Sequence, residues 1–291
     1  MKIIHSIQEL RKELHMRRFD KERISFVPTM GNLHEGHISL IHKAAEKGDC
    51  VVASIFVNPL QFGANEDLES YPRTPQEDEA QLRATGCVDF LFRPRVEEIY
   101  PNGQENHTVV EVPNISDVFC GASRPGHFRG VATIVCKLLN IVQPDFAIFG
   151  EKDFQQLMVI RKSVEDLCLP VKIIGAPTAR SEEGLALSSR NGYLTPEEKA
   201  IAPKLYQALS QAKDAILNDQ ADFKGLQNRS NQFLEQAGFK PDYFEVCNAR
   251  TLEPALRTDE KLVILAAAYL GKARLIDNIY FSLNGEVSDE H

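Results

Sequence analysis

Short apolar runs alternate with helix-like periodicities along the first 177 residues, and this alternation constrains the fold more than any other feature of the chain. Between the runs, apolar residues recur at helical spacing, as in the segment 36–48. The run at 51–57 is mostly apolar, which is typical of a strand covered on both faces. The pattern predicts parallel βαβ units and therefore an α/β fold with a doubly wound, Rossmann-like parallel sheet. The expected strands are 24–28, 51–57, 88–92, 146–149 and 171–174, and the expected helices are 36–48, one from Pro75, 131–142 and 154–167.

The pattern changes after Pro177, where helices rich in Ala, Gln and Lys come first and strands follow with no helix between them. This order predicts a smaller α+β domain with an antiparallel sheet. Its expected helices are 196–217 and 223–237, and its expected strands are 243–248, 262–267 and 273–281. We therefore expect two domains, 1–178 and 179–291, which agrees with a length of 291 residues at ~150 residues per domain.

Composition and charge exclude several classes of function. With 33 basic against 41 acidic residues the net charge is −8, which argues against a nucleic-acid or anionic-membrane binder. The first six residues lack the features of a secretory signal, and no apolar run approaches the ~18 residues of a membrane span. The six cysteines are widely spaced with no C-x-x-C pair, so we expect buried free thiols in a reducing cytoplasm.

The segment 28–37, PTMGNLHEGH, lies where the first strand ends and the first helix begins, which is where doubly wound folds bind nucleotides. It lacks G-x-G-x-x-G, the Lys and hydroxyl of a P-loop, and the i, i+4 histidines of a zincin. What remains is H-x-G-H, with His34 and His37 on one face of a helix start, where they can receive a phosphate. The alternative is a pair of surface histidines beside an N-terminal cap.

Basic residues concentrate in two further places. No Asp or Glu occurs between Asp117 and Asp145, which predicts a local electropositive site for an anionic substrate or, alternatively, a basic loop paired with the acidic segment 66–79. Its basic residues are Arg124, His127, Arg129 and Lys137. Lys152 follows a strand, and a Ser-Ser-Arg loop covers 188–190. Together these residues have the charge and the hydroxyl donors to hold a triphosphate.

These motifs occur together in a recognisable order. The carrying segments are PTMG and HEGH within 28–37, FVNPLQF (56–62), YPRT (71–74), RPGHFRGV (124–131), FGEKDFQQ (149–156) and LSSRN (187–191). On them, the chain resembles the pantoate–β-alanine ligases, a family of the cytidylyltransferase-like superfamily that also contains the class I aminoacyl-tRNA synthetases. The resemblance spans residues 28–191.

The resemblance implies an ATP-dependent ligase of pantothenate biosynthesis that condenses pantoate with β-alanine. ATP and pantoate would give pantoyl adenylate and pyrophosphate, and β-alanine would then displace AMP. It further implies a homodimer through the larger domain, a C-terminal domain that acts as a lid, and Mg²⁺ bridging the phosphates with Asp78 as a second support. Two alternatives stay open, an adenylyltransferase of the same superfamily that joins AMP to a phosphorylated acceptor and a non-catalytic nucleotide-binding module.

The resemblance also assigns roles to matching residues. His34, His37, Lys152 and Arg190 would be the catalytic residues, with His37 as proton donor. Gln61 and Gln156 would hold pantoate, and Gln61 would also contact β-alanine. The residues expected to contact ATP are Met30, Gly31, Asn32, Leu33, His34, Glu35, Gly36, His37, Gly150, Glu151, Lys152, Asp153, Ala179, Leu187, Ser188, Ser189 and Arg190.

Overall fold

The computed structural model describes residues 1–63, 68–69, 71–218 and 222–283. The chain divides into two compact units. The first comprises Met1–Glu151 and Gln155–Pro177, and the second comprises Lys152–Phe154 and the described chain from Thr178 onward. This division differs from the expected boundary, because Thr178 and the segment Lys152–Phe154 group with the second unit.

The elements of the first unit are β1 (Lys2–Ile4), α1 (Ile7–Phe19), β2 (Ile24–Thr29), α2 (Glu35–Lys47), β3 (Cys50–Ile55), α3 (Pro75–Ala84), β4 (Phe90–Phe92), α4 (Val96–Ile99), α5 (Cys120–Ser123), α6 (His127–Val142), β5 (Phe146–Gly150), α7 (Phe154–Asp166, whose first residue groups with the second unit) and β6 (Lys172–Ala176). Those of the second unit are α8 (Pro196–Ile201), α9 (Lys204–Leu217), α10 (Phe223–Gln236), β7 (Lys240–Asn248), β8 (Lys261–Leu270) and β9 (Ala273–Ser282).

The first unit is built on a six-stranded sheet in the order β1-β4-β3-β2-β5-β6, with every pairing parallel. Successive residues of a strand face opposite sides, so Phe26 joins the apolar cluster with α1, α6 and α7 while Val27 joins the cluster with α2 and α3. The expected doubly wound parallel sheet is confirmed. Chain order reverses between β2 and β5, which makes the carboxyl ends of these two strands the switch point of the sheet.

The second unit contains an antiparallel sheet in the order β7-β8-β9. Apolar residues of α9 and α10, such as Leu209 and Leu234, pack with Phe244 and Ile264 of the strands in one core. The expected smaller α+β domain is therefore confirmed. The absence of a helix between the strands, read from the sequence, corresponds to two consecutive antiparallel connections.

Two features differ from the expectations. The strand β1 and helix α1 were not predicted, because β1 has three residues and α1 buries only Leu10 and Leu14 on a strongly charged helix. The single helix expected at 196–217 is divided into α8 and α9 at Ala202 and Pro203. Proline has no N–H to donate and clashes with the preceding turn, so the chain ends one helix and starts another. Within the described residues, no helix has the length and apolar character required to cross a bilayer.

Candidate active site

The turn after β2 carries the H-x-G-H motif, and hydrogen bonds to Asp78 of α3 hold its backbone in place. The Asp78 carboxylate accepts hydrogen bonds from the backbone N–H of Asn32 at 2.9 Å and of Leu33 at 2.7 Å. It also accepts from the Thr74 hydroxyl at 3.1 Å, and its side chain is 1% exposed. Gly31 has φ +81°, and a Cβ there would lie 2.9 Å from Asp78 Oδ2. Glycine is therefore required both by the backbone conformation and by the close approach of the carboxylate.

The two histidines of the motif cap helix α2. The Nδ1 of His34 accepts from the Gly36 N–H at 3.1 Å, and the Nδ1 of His37 accepts from the His34 N–H at 3.3 Å. The ring centroids lie 4.2 Å apart. Because an Nδ1 that accepts a hydrogen bond carries no proton, each neutral ring holds its proton at Nε2. The capping role that the sequence left as an alternative is present, and it also orients two Nε2–H donors at a helix N-terminus.

Asp78 does not fit the expected role of a magnesium support. Its two oxygens accept three hydrogen bonds beneath the turn, and the group is almost fully buried. Across the part of the chain that the structure describes, no three His, Cys, Asp or Glu side chains come together as metal ligands. The hydrogen bonds of Asp78 instead assign this residue to holding the turn after β2.

Gln61 lies in a buried network behind the motif. Its side chain is 8% exposed, and its Nε2 donates to the Met30 Sδ at 3.0 Å. Its Oε1 accepts from Asn58 Nδ2 at 3.2 Å, and Asn58 in turn accepts from the Tyr100 hydroxyl at 2.8 Å. Burial raises the pKa of Tyr100, so this hydroxyl remains a proton donor at ordinary pH. A thioether is a weak acceptor, so a hydroxyl or carboxylate is a better partner for the Gln61 amide.

The residues of the acid-free segment serve different purposes. His127 is buried, and its Nδ1 lies 2.8 Å from the Gln61 carbonyl oxygen while its Nε2 lies 3.0 Å from Arg124 Nη1. Lys137 packs 4.8 Å from the centroid of the Tyr100 ring, and burial lowers its pKa. Arg129 is exposed. Arg124 and His127 therefore join the surroundings of Gln61. Of the acidic segment 66–79, Glu66 and Asp67 lie outside the described residues, whereas Asp78 bonds the turn after β2 and Glu79 pairs with Arg83.

The end of β5 brings further expected residues to the same edge of the sheet as the H-x-G-H turn. Gly150 ends β5, which pairs directly with β2, and Glu151 follows it. Gln156 is half-buried on the first turn of α7. Its neighbour Gln155 is used structurally, with its amide donating to two backbone carbonyls at 2.9 and 2.7 Å.

The remaining expected ATP contacts lie in the second unit. Lys152, Ser188 and Arg190 line one surface pocket. Ser188 caps a 3-10 turn by accepting from the Arg190 N–H at 3.3 Å. Leu187 donates its N–H to the Ala179 carbonyl at 2.8 Å. The other expected members, Asp153 and Ser189, follow Lys152 and Ser188 directly in the chain.

Sequence reasoning missed residues that act by holding others. Asn58 is 1% exposed and connects Gln61, Tyr100 and the carbonyl of Gly130, yet its only signal in the sequence is its place in the segment FVNPLQF. The clamp between Asp78 and Leu33 joins residues 45 positions apart. No local pattern in a sequence marks such partners.

Comparison with known proteins identifies the family of the chain. The family model described as pantoate-beta-alanine ligase matches residues 2–280. A pantothenate synthetase of Pseudomonas putida strain W619 is 57% identical over 284 residues, which cover 98% of this chain and 99% of that protein. The pantothenate synthetase of Marinomonas sp. strain MWYL1 is 56% identical over 97% of this chain and 100% of that protein.

Solved structures give the same result. A pantothenate synthetase of Thermus thermophilus has a TM-score of 0.88 at 43% identity and covers 96% of this chain and 99% of its own. The pantoate-beta-alanine ligase of Francisella tularensis, solved in complex with beta-gamma ATP and beta-alanine, has a TM-score of 0.76 at 40% identity over 99% of this chain and 100% of its own. By sequence over nearly its whole length and by fold, the chain belongs to the pantoate–β-alanine ligase family.

Proposed function

We propose that this chain joins pantoate to β-alanine with ATP, through pantoyl adenylate, and releases pyrophosphate and AMP. The observation that carries the proposal is the H-x-G-H turn at the switch point of the sheet, where both imidazoles are held through Nδ1 so that Nε2–H remains the donor. Neutral Nε2–H groups at a helix N-terminus suit phosphate oxygens. The family membership supports the same reaction.

The first step needs donors and cations more than it needs a nucleophile of the protein. The pantoate carboxylate attacks the α-phosphorus, the bond to the bridging oxygen breaks, and pyrophosphate leaves. Two anions approach each other, so the barrier falls only where fixed donors neutralise the phosphates. We assign His34 and His37 to this task in the first unit, and Lys152 and Arg190 with the hydroxyls of the Ser-Ser-Arg loop in the second.

Pantoate binding is assigned to Gln61 and Gln156. The Gln61 amide is oriented on one side by Asn58 and on the other by the weak acceptor Met30 Sδ. A pantoate hydroxyl or carboxylate that replaces the thioether gains a stronger hydrogen bond without any reorganisation of the amide. In the second step the amine of β-alanine attacks the acyl carbon and AMP leaves. Contact between Gln61 and β-alanine is part of the same assignment.

The proposal also covers the position of magnesium and the oligomeric state. We assign Mg²⁺ to the phosphate oxygens of ATP without direct support from Asp78, because the Asp78 carboxylate already accepts from three donors. A homodimer is expected from the resemblance, and light scattering coupled to gel filtration tests it.

The cysteines are all free, which supports a reducing cytoplasm. Four of them are buried, whereas Cys87 is half-buried and Cys168 is exposed, so the expectation of buried thiols holds only in part.

The lid role of the second unit remains a prediction. Pantoyl adenylate hydrolyses readily, so the reaction needs water to be excluded. Small-angle scattering with and without ATP and pantoate tests this role, and an unchanged radius of gyration contradicts it.

The reaction is tested with purified protein, ATP, pantoate and β-alanine, by quantifying AMP and the amide product. We expect the two in equal amounts, and a loss of about 100-fold in kcat/KM for His37→Ala. His42→Ala is the matched control, since His42 is an exposed histidine on the same helix α2, and we expect activity within twofold of the wild type. A product that retains the nucleotide identifies an adenylyltransferase, and ATP that is not consumed with both co-substrates identifies a binding module. Either result overturns the proposal.

A further inference from the structure

Two consecutive polar residues of β9, Asp277 and Asn278, are buried at 5% and 6% exposure. Among the described strands, β9 pairs only with β8. Buried polar side chains are costly unless their hydrogen bonds are made. Both residues make such bonds within the second unit, and each bond leads to a different segment that carries expected phosphate ligands.

Asp277 binds Arg180 at the start of the hairpin 180–186, which precedes the Ser-Ser-Arg loop. Its carboxylate accepts from both terminal nitrogens of Arg180, at 2.6 and 2.9 Å. The same guanidinium lies 3.6 Å from the centroid of the Tyr206 ring and donates to the Gly184 carbonyl at 3.2 Å. Arg180 forms a β-bridge with Ala186, and Ser188 follows two residues later. A bidentate, stacked arginine has little freedom, so Asp277 determines where the hairpin and the following loop lie.

Asn278 holds the second segment. Its Nδ2 donates to the carbonyl of Lys152 at 2.9 Å. Two residues along the strand, Tyr280 stacks on Phe154 with ring centroids 6.0 Å apart. The segment Lys152–Phe154 is thus fixed on β9 at both of its ends. Lys152 and the Ser188 to Arg190 loop are far apart in the sequence, yet they line the same pocket.

We propose that Asp277 and Asn278 are positioning residues that set the distance between the Lys152 ammonium and the donors of the 188–190 loop. The inference rests on the proposed function of those groups as phosphate ligands. Donors that stabilise a transition state must be held in place before the reaction, and a displacement of about 1 Å can cost about 100-fold in rate. Adjacent residues of one strand hold their spacing rigidly, because the strand is bonded along its length to β8.

The test is a double-mutant cycle on ATP affinity, measured by equilibrium dialysis with ATP alone, and on the KM for ATP. Asn278→Ala is expected to raise the Kd and the KM for ATP by about 10-fold each, with the KM for β-alanine within twofold of the wild type. In a Lys152→Ala background the carbonyl of residue 152 remains but the ammonium is gone. Asn278→Ala should therefore add less than a twofold change there. If Asn278→Ala acts only through a general structural defect, it should weaken ATP binding by the same factor in the wild-type and the Lys152→Ala backgrounds. This result refutes the inference.

A matched control is available in the same sheet. Asn248 of β7 donates through Nδ2 to the Asp259 carboxylate at 2.8 Å, and neither residue lines the pocket of Lys152 and Arg190. Asn248→Ala makes the same chemical change and is expected to leave ATP affinity within twofold, and an effect equal to that of Asn278→Ala contradicts the inference. Asp277→Asn should weaken ATP binding by 10- to 100-fold, and Arg180→Lys, which retains the charge, is the substitute if that variant does not fold.

The proposed ligase function and the positioning role of Asp277 and Asn278 can be disproved separately. If the wild type binds ATP but forms no AMP with pantoate and β-alanine, the proposed function is wrong while the cycle on ATP affinity still decides the positioning role. If Lys152→Ala binds ATP as tightly as the wild type, the ligand role of Lys152 is wrong and the inference falls with it.

Discussion

Replacing Asp78 with asparagine removes the carboxylate that fixes the turn after β2 without changing its size. The carboxylate accepts hydrogen bonds from Asn32 N–H, Leu33 N–H and the Thr74 hydroxyl. An amide has one oxygen and one NH₂ group. Whichever way the asparagine side chain turns, one of the two backbone N–H groups therefore faces a donor and loses its partner.

The magnitude follows from these three bonds. A hydrogen bond to a charged group contributes about 1.5–3 kcal/mol and a neutral one about 1 kcal/mol. One bond is lost, two become neutral, and a buried N–H is left without an acceptor, while burying an amide costs less than burying a carboxylate. We expect a net loss of about 3 kcal/mol in the free energy of unfolding, or about 6–12 °C in the melting temperature. Because the chain has no Trp, far-UV circular dichroism is the suitable probe of denaturant and thermal unfolding.

Two comparisons make this prediction refutable. Glu79→Gln makes the same chemical change in the same helix, at a surface ion pair with Arg83 Nη2 at 2.9 Å. It should change stability by less than about 0.5 kcal/mol. Asp78→Asn should also raise the KM for ATP while leaving the Mg²⁺ concentration for half-maximal activity within twofold. A loss of stability below about 1 kcal/mol, or a Mg²⁺ requirement shifted about 10-fold, would show that Asp78 acts on the metal and not on the turn.

Three further predictions concern the packing around Gln61 and the thiols. A Cβ on Gly130 would lie 2.7 Å from Gln61 N, so Gly130→Ala should raise the KM for pantoate with the KM for ATP unchanged, whereas Gly63→Ala, with open space around it, should change neither. Burial raises the pKa of the Cys247 thiol to about 12; the unfolded thiol loses its proton above about pH 9 and the folded one does not, so between pH 9 and pH 12 this group should lower the unfolding free energy by about 1.4 kcal/mol per pH unit. In denaturant titrations, the unfolding free energy of Cys247→Ala should fall less steeply between pH 9 and pH 12 than that of the wild type. Iodoacetamide at pH 8 should modify the exposed Cys168 first, and mass spectrometry that finds Cys247 labelled equally fast would contradict the burial.

Much of the fold was predictable because its signals are local. The strand at Ile24 and the helix after Gly36 were recognisable from periodicity alone, and the lack of polar alternation in the run at 51–57 indicated burial on both faces and hence a parallel sheet. Strand β1 was missed because three residues cannot show a period. Its pairing with β4 depends on residues almost ninety positions away, such as Phe90 opposite Lys2.

The motifs of the candidate site were recognisable in the sequence, whereas the residues that hold those motifs in place were not. The H-x-G-H turn gives a local signal, since capping and helix start lie within four residues. Arg180 and Asp277 lie 97 positions apart, and neither residue belongs to a pattern. Only the fold brings them together, so the sequence identifies candidates for binding phosphate and leaves out the residues that hold those candidates in place.

The grouping of Lys152–Phe154 with the second unit means that no single cut divides this protein into its parts. The main chain passes between the units after Glu151, after Phe154 and after Pro177. A fragment that begins at Thr178 lacks the carbonyl that Asn278 binds and the ring that Tyr280 stacks on. Exchange of this unit between related enzymes, by recombination or by design, must therefore carry two separate pieces of sequence. A chimera joined only at residue 178 would combine β9 of one protein with Lys152 of another, and these two parts would not have been selected together.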